Sequence, residues 1–249
     1  MTGVSECNRL AGWLQFVRVS LPLIGLTWLL TACVAPQKYT PRIISTTPEQ
    51  SEPSITNPIQ VTVRMVKLVD VSAAEDKEDG WLYGSGWSVT SAERLNGDLA
   101  VLITDAVAKD FQSREVFQTF AQDQQQEQMN LGGKIHKFSQ RREQYLWALC
   151  CGLLGAVIPF PLMKEEGEVD LELTLFRTDG STVKSYRGKS SFLKRCNLYE
   201  GRCWESYNNS PAKYLDQAFA DSLYQIRKAI AQDKDFIAHQ VSGQALKRP

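Results

Sequence analysis

The sequence predicts an α+β fold: a mostly antiparallel sheet of about four strands with two helices packed on one face. Three observations lead there. Between Glu168 and Thr178, Val169, Leu171, Leu173 and Leu175 alternate with Asp170, Glu172 and Thr174, the period of a strand buried on one side. Asp179-Gly180 follows as a two-residue hairpin signal leading into Thr182–Arg187. Two other stretches, Leu95–Val107 and Leu215–Ile230, repeat their apolar residues every three or four positions, as amphipathic helices do. With 43% hydrophobic and 22% charged residues in 249, the chain has the composition of a globular protein and not of a disordered one. Its 28 basic and 28 acidic side chains cancel, which leaves no electrostatic footprint for a nucleic-acid partner.

Residues 1–32 read as an export leader. Arg9 and Arg18 precede the apolar run Val19–Leu30, and no acid occurs between Glu6 and Glu49. Twelve residues rise only about 18 Å as a helix, whereas a bilayer core needs roughly 30 Å. The run ends in Leu30-Thr31-Ala32-Cys33, which resembles the bacterial lipobox. That resemblance implies cleavage before Cys33, diacylation of its thiol and acylation of the new α-amine. Three acyl chains exceed the two signals that stable anchoring in membrane lipid requires. Val34 stands where, in the enterobacterial pattern, an Asp would retain the protein at the inner membrane. The expected home is therefore the periplasmic face of the outer membrane, with the inner membrane as the alternative. From Cys33 onward 26 basic and 27 acidic side chains remain, so bulk charge selects no partner.

Residues 33–58 carry Pro36, Pro41, Pro48, Pro53 and Pro58 among Ser, Thr and Gln, and read as an extended tether. Residues 59–240 are the expected α+β domain and 241–249 a tail. Ile59–Val71 is the first strand; Ile59, Val61, Val63 and Met65 share one phase, and Val66 and Leu68 shift to the other. Such a slip predicts a bulge or burial on both faces. An acidic loop from Ala74 to Gly80 and a Gly- and aromatic-rich stretch, Trp81–Trp87, follow.

Thr90 with Glu93 three residues later forms a capping box and predicts the start of the first helix. Leu95, Leu99, Leu102, Ile103, Ala106 and Val107 define its apolar face, and it should end near Asp110–Arg114. Phe117 and Phe120 open another packed segment, and Gln122–Gln128 is polar enough to be an exposed connection. Met129–Ser139 is the second strand, and the Glu168–Thr178 and Thr182–Arg187 strands come next. Ser210-Pro211 marks the start of the last helix, whose stripe is Leu215, Phe219, Leu223, Ile226 and Ile230. This order, together with Leu102-Ile103-Thr104-Asp105-Ala106-Val107 and Val169-Asp170-Leu171-Glu172-Leu173, resembles small periplasm-facing lipoproteins of the YajG-like kind. The same architecture occurs in lipopolysaccharide-assembly and curli-secretion lipoproteins. The resemblance implies a component of envelope assembly, secretion or scaffolding and not an enzyme.

One segment departs from a small soluble domain. Residues 145–163 contain no charge, with Arg141-Arg142 before them and Lys164-Glu165-Glu166 after. Nineteen residues just reach a span, about 28 Å as a helix, but Pro159 and Pro161 break it early. A single crossing would also place on opposite sides of a membrane two strands that are expected to pair. Three readings stay open: an apolar loop buried in the domain or covered by a partner, a membrane-dipping hairpin near the anchor, or a span of the inner membrane. Under the first two, Trp147, Leu149, Leu153, Leu154, Ile158 and Phe160 are the expected interaction surface for an envelope protein.

Cys196 and Cys203 flank a six-residue loop, and export makes a disulfide between them the natural reading. Cys150-Cys151 sit in apolar sequence and read as buried thiols. No metal site is expected, because a zinc site needs about four ligands and no Cys/His pair lies near these cysteines. No cofactor motif, nucleophile elbow, phosphate loop or zinc-protease helix occurs. Gly84-Ser85-Gly86 lacks nucleophile spacing, Asp170 and Glu172 read as a solvated strand edge, and His136 reads as a surface strand residue. No catalytic residue is expected. The sequence thus points to a lipid-anchored, non-enzymatic scaffold, with a lipophile-binding or transporter-accessory lipoprotein as the alternative.

Overall fold

A computed structural model describes residues 39–42, 58–77, 87–88, 95–120, 127–144, 163–196 and 212–245. The first strand breaks in two where its phase slips. β1 (Ile59–Met65) buries Ile59, Val61 and Val63; β2 (Val69–Asp70) resumes after Leu68, which is buried from the other phase. A short 3-10 turn at Ala74–Asp76 and β3 (Trp87–Ser88) follow. Helix α1 (Leu99–Ser113) buries Ile103, Val107 and Phe111. Asp98, and not Thr90, caps it, accepting from the Val101 N–H at 2.9 Å. Thr90 and Glu93 lie outside the described residues, and Leu95 precedes the helix.

Beyond α1 come β4 (Phe117–Phe120), β5 (Met129–Gln144), β6 (Met163–Arg177) and β7 (Thr182–Cys196). Helices α2 (Lys213–Gln232) and α3 (Lys234–Ala245) follow. The strands form one sheet in the order β4-β1-β5-β6-β7, with β2 and β3 also paired to β5.

This corrects the expected four-stranded, mostly antiparallel sheet with two helices. Among the described residues the sheet has seven strands and is mixed, and there are three helices. β1 runs parallel to both its neighbours, β4 and β5, and β2 is also parallel to β5. The cause is the α1 connection, which returns the chain to β4 in the direction of β1, as parallel pairing requires. Alternation of apolar residues shows which side of a strand is buried and is blind to the direction of its partner. α3 escapes the periodicity reading because, among its described side chains, only Ile237 is fully buried.

The antiparallel half follows the sequence closely. β5, β6 and β7 form a continuous meander, and the β6–β7 turn closes with Gly180 at φ 84° and its N–H bonded to the Arg177 carbonyl. Leu215, Phe219, Leu223, Ile226 and Ile230 of α2 are all fully buried against the sheet. Gly188 on β7 permits this contact: a Cβ there would lie 2.1 Å from the Ser222 carbonyl oxygen of α2. In β5 the register slips between Ile135 and Lys137. Before the slip Met129, Leu131 and Ile135 face the core; after it Phe138, Gln140 and Arg142 are the buried residues.

Candidate functional site

Three arrangements stand out, and each follows from strand alternation or helix placement. On β6, Val169, Leu171, Leu173 and Leu175 point into the core under the helices. Glu168, Asp170 and Glu172 therefore project from the opposite face. β5 and β7 supply the partners on either side. Arg187 grips Asp170 with two hydrogen bonds of 2.7 Å, and Lys189 lies 2.5 Å from Glu168. Lys137 bridges Glu168 at 3.4 Å and Asp76 at 3.3 Å, and His136 Nε2 lies 2.8 Å from Glu172. Asp170 and Glu172 are thus not on a solvated edge: β6 is flanked on both sides, and Asp170 is only 4% exposed.

The electrostatics of this face keep its carboxyls ionised. Hydrogen bonds from Lys189, Arg187 and His136 hold the carboxyls of Glu168, Asp170 and Glu172 below their ordinary range. Three carboxylates kept ionised by hydrogen-bond donors on β5 and β7 are poor general acids. They form instead a polar, charge-balanced surface. Among the described residues no group of His, Cys, Asp and Glu is placed to hold a metal ion.

The second arrangement lies at one end of the sheet. The apolar segment leaves β5 at Gln144 and re-enters β6 at Met163, and these two residues are paired. Met163 is paired in turn with Cys196, the last residue of β7. The chain on both sides of the apolar segment and the first cysteine of the expected disulfide therefore share one row. Just inside that row, on the helix side, Gln140, Arg142 and Glu165 form a buried polar cluster. Arg142 Nη2 lies 3.3 Å from Glu165 Oε1, which also accepts from Gln140 Nε2. Burial pushes the Glu165 carboxyl up, against the opposing effect of Arg142. Trp147, Leu149, Leu153, Leu154, Ile158, Phe160, Cys33 and Cys203 lie outside the described residues. Among those described, no helix is long and apolar enough to cross a membrane.

The third arrangement has no counterpart in the sequence reading. Tyr39–Arg42, within the stretch read as a tether, are docked on the domain, with Tyr39 and Pro41 buried and Thr40 and Arg42 exposed. The Tyr39 hydroxyl donates to Asp216 Oδ1 at 2.5 Å, and the Arg42 N–H donates to the same oxygen at 3.0 Å. Asn96 N–H donates to the Tyr39 carbonyl at 2.9 Å, next to a bridge between Tyr39 and Leu95. Burial raises the Asp216 carboxyl to about 6, although Tyr39 and Arg42 work to lower it. The sequence held two signals: Tyr39 is the lone aromatic of residues 33–58, and Asp216 interrupts the apolar face of α2 between Leu215 and Phe219.

No known family matches the chain by sequence, and no curated protein does. Similar solved structures include a Xanthomonas campestris protein of the family designated DUF330, at 13% identity and a TM-score of 0.40, covering 84% of this chain and 99% of that one. The PelC dodecamer from Paraburkholderia phytofirmans is similar at 10% identity and a TM-score of 0.31, covering 68% and 90%. A Caulobacter crescentus CB15 protein assigned as a lipoprotein is similar at 11% identity and a TM-score of 0.30, covering 59% and 86%.

Proposed function

We propose that the protein is a lipoprotein anchored through acylated Cys33, facing the periplasm from the outer membrane, and that its domain is a non-enzymatic component of envelope assembly. The observation that carries this reading is Leu30-Thr31-Ala32-Cys33 in register behind the apolar run Val19–Leu30. The β5–β6 pairing adds support for the contact role. Gln144 and Met163 are neighbours, so the chain leaves and re-enters the sheet at one place, a geometry that fits an insertion offered to a partner better than a single crossing. The saturated carboxylates of β6 fit a scaffold better than an acid–base catalyst.

Two measurements test it. Acyl labelling in cells should be lost in Cys33→Ser; labelling equal to wild type overturns the anchor. Affinity capture from detergent extracts, with and without residues 145–163, tests the role. Loss of a specific protein supports assembly, whereas loss of co-purified lipid with no change in protein partners points to lipophile binding.

A further inference from the structure

We infer that Tyr39–Arg42 act as a clasp that sets how far the folded domain stands from the lipid to which Cys33 attaches. This rests on the proposed acylation of Cys33. Docked, the clasp leaves only residues 34–38 between the acylated cysteine and the domain. Six Cα steps extend at most about 20 Å, at about 3.3–3.6 Å each. Released, the whole stretch to Pro58 is available, and 25 residues in an extended polyproline-like form reach about 75 Å. One small contact thus chooses between a domain held near the bilayer and one able to reach far into the periplasm.

The contact is built so that it can open without unfolding the domain. Its polar anchor is a single oxygen, Asp216 Oδ1, shared by the Tyr39 hydroxyl and the Arg42 N–H. Its other ties are the burial of Tyr39 and Pro41 against the domain, the Asn96 N–H to the Tyr39 carbonyl, a longer bond of 3.4 Å from the Asn96 amide to the Thr40 hydroxyl, and the bridge to Leu95. None of these belongs to the ladder joining β1, β4, β5, β6 and β7. Regions held by few contacts open at far lower cost than a central sheet. Asp216 itself sits in the first turn of α2, so releasing Tyr39 leaves the helix and its buried stripe in place.

The full-length protein, purified from membranes, would be placed in supported bilayers of phosphatidylethanolamine and phosphatidylglycerol. Neutron reflectometry reads the height of the protein layer, hydrogen exchange reads the Asn96 amide, and mass spectrometry reads the acyl chains on Cys33. Wild type should lie within about 20 Å of the bilayer. Tyr39→Ala and Asp216→Ala should move the layer outward by tens of ångströms and speed Asn96 exchange at least about tenfold, while protection at Leu171 and Leu173 persists. Equal heights for wild type and variants with Cys33 acylated overturn the inference. Unmodified Cys33 overturns it through the anchor, and the mass spectrum distinguishes that failure from the first. Should the alanine variants lose protection at Leu171, Tyr39→Phe, which removes only the hydroxyl, takes their place; Asn96 exchange at the wild-type rate in it then overturns the clasp.

Discussion

Asp110 of α1 and Arg227 of α2 meet as a buried ion pair, although 117 positions separate them in the sequence. Both are almost inaccessible, and burial pushes the Asp110 carboxyl up even against the guanidinium beside it. The pair joins the helix of the parallel half to the helix that covers the antiparallel meander. Such pairs add little net stability, yet removing Arg227 leaves the buried Asp110 to the more distant Arg114, 3.8 Å from its Oδ1. Arg227→Ala should therefore lower unfolding free energy by about 3–5 kcal/mol, whereas Asp110→Leu with Arg227→Met should lie within about 1 kcal/mol of wild type. Urea denaturation of the three proteins checks this; a loss for Arg227→Ala no larger than for the double variant would contradict it.

Asp216 gives the stability a pH dependence with a defined sign. Its carboxyl titrates at about 6 in the folded domain, above the ordinary value of 3.8. The folded state therefore binds this proton more tightly than the unfolded chain does. The contribution of Asp216 is most favourable below the ordinary value and declines as pH rises to about 6, by about 3 kcal/mol at most. Glu168, Asp170 and Glu172 act in the opposite sense, since their carboxyls are depressed and their stabilisation is lost as pH falls. Comparison with Asp216→Asn isolates the effect. The wild-type stability minus that of the variant should fall between pH 4 and 6.5; a flat difference would show that the carboxyl is not buried in the fold.

How much of the fold is legible in the sequence varies from element to element for physical reasons. The β6 strand, the Asp179-Gly180 turn and the α2 stripe are legible because each is encoded by a local repeat or turn. The phase slip in Ile59–Val71 is legible too, and it marks the break between β1 and β2. The parallel placing of β1 is not, since side-chain alternation carries no direction. β6 and β7 extend further than expected because Lys164, Glu165 and Glu166 look like a polar flank. In the fold Glu165 is paired with Lys194 across the ladder and its carboxylate meets Arg142. The docking of Tyr39 on Asp216 joins positions 177 apart, beyond any local pattern.

Gly188 tests how closely α2 lies on the sheet. A Cβ there would meet the Ser222 carbonyl oxygen at 2.1 Å and its carbon at 2.9 Å, both backbone atoms that cannot rotate aside. Gly188→Ala must lift α2 or bend β7, at a cost of about 1–3 kcal/mol. Thermal melts should show the loss, and the α2 amides should exchange faster than those of β5. A melting temperature at or above that of wild type would mean that the helix does not approach β7 as described.

The last prediction concerns the apolar insertion. Gln144 and Met163 are a paired position at the end of a fifteen-rung β5–β6 ladder. Everything between them is, topologically, a hairpin connection, and two strands in this register can be joined by two residues. Replacing residues 145–162 by Asn-Gly should therefore leave a folded domain whose melting temperature differs from that of wild type by only a few degrees. It should also remove the largest uncharged stretch beyond Lys38 and with it any partner bound there. The polar cluster of Gln140, Arg142 and Glu165 lies directly inside the ladder end and supplies a local gauge. If the insertion covers it, the Glu165 carboxyl should drop toward its ordinary range in the shortened protein, as burial is what raises it. A shortened chain that fails to fold would instead make the segment an element of the core, and the interaction surface would have to be sought elsewhere.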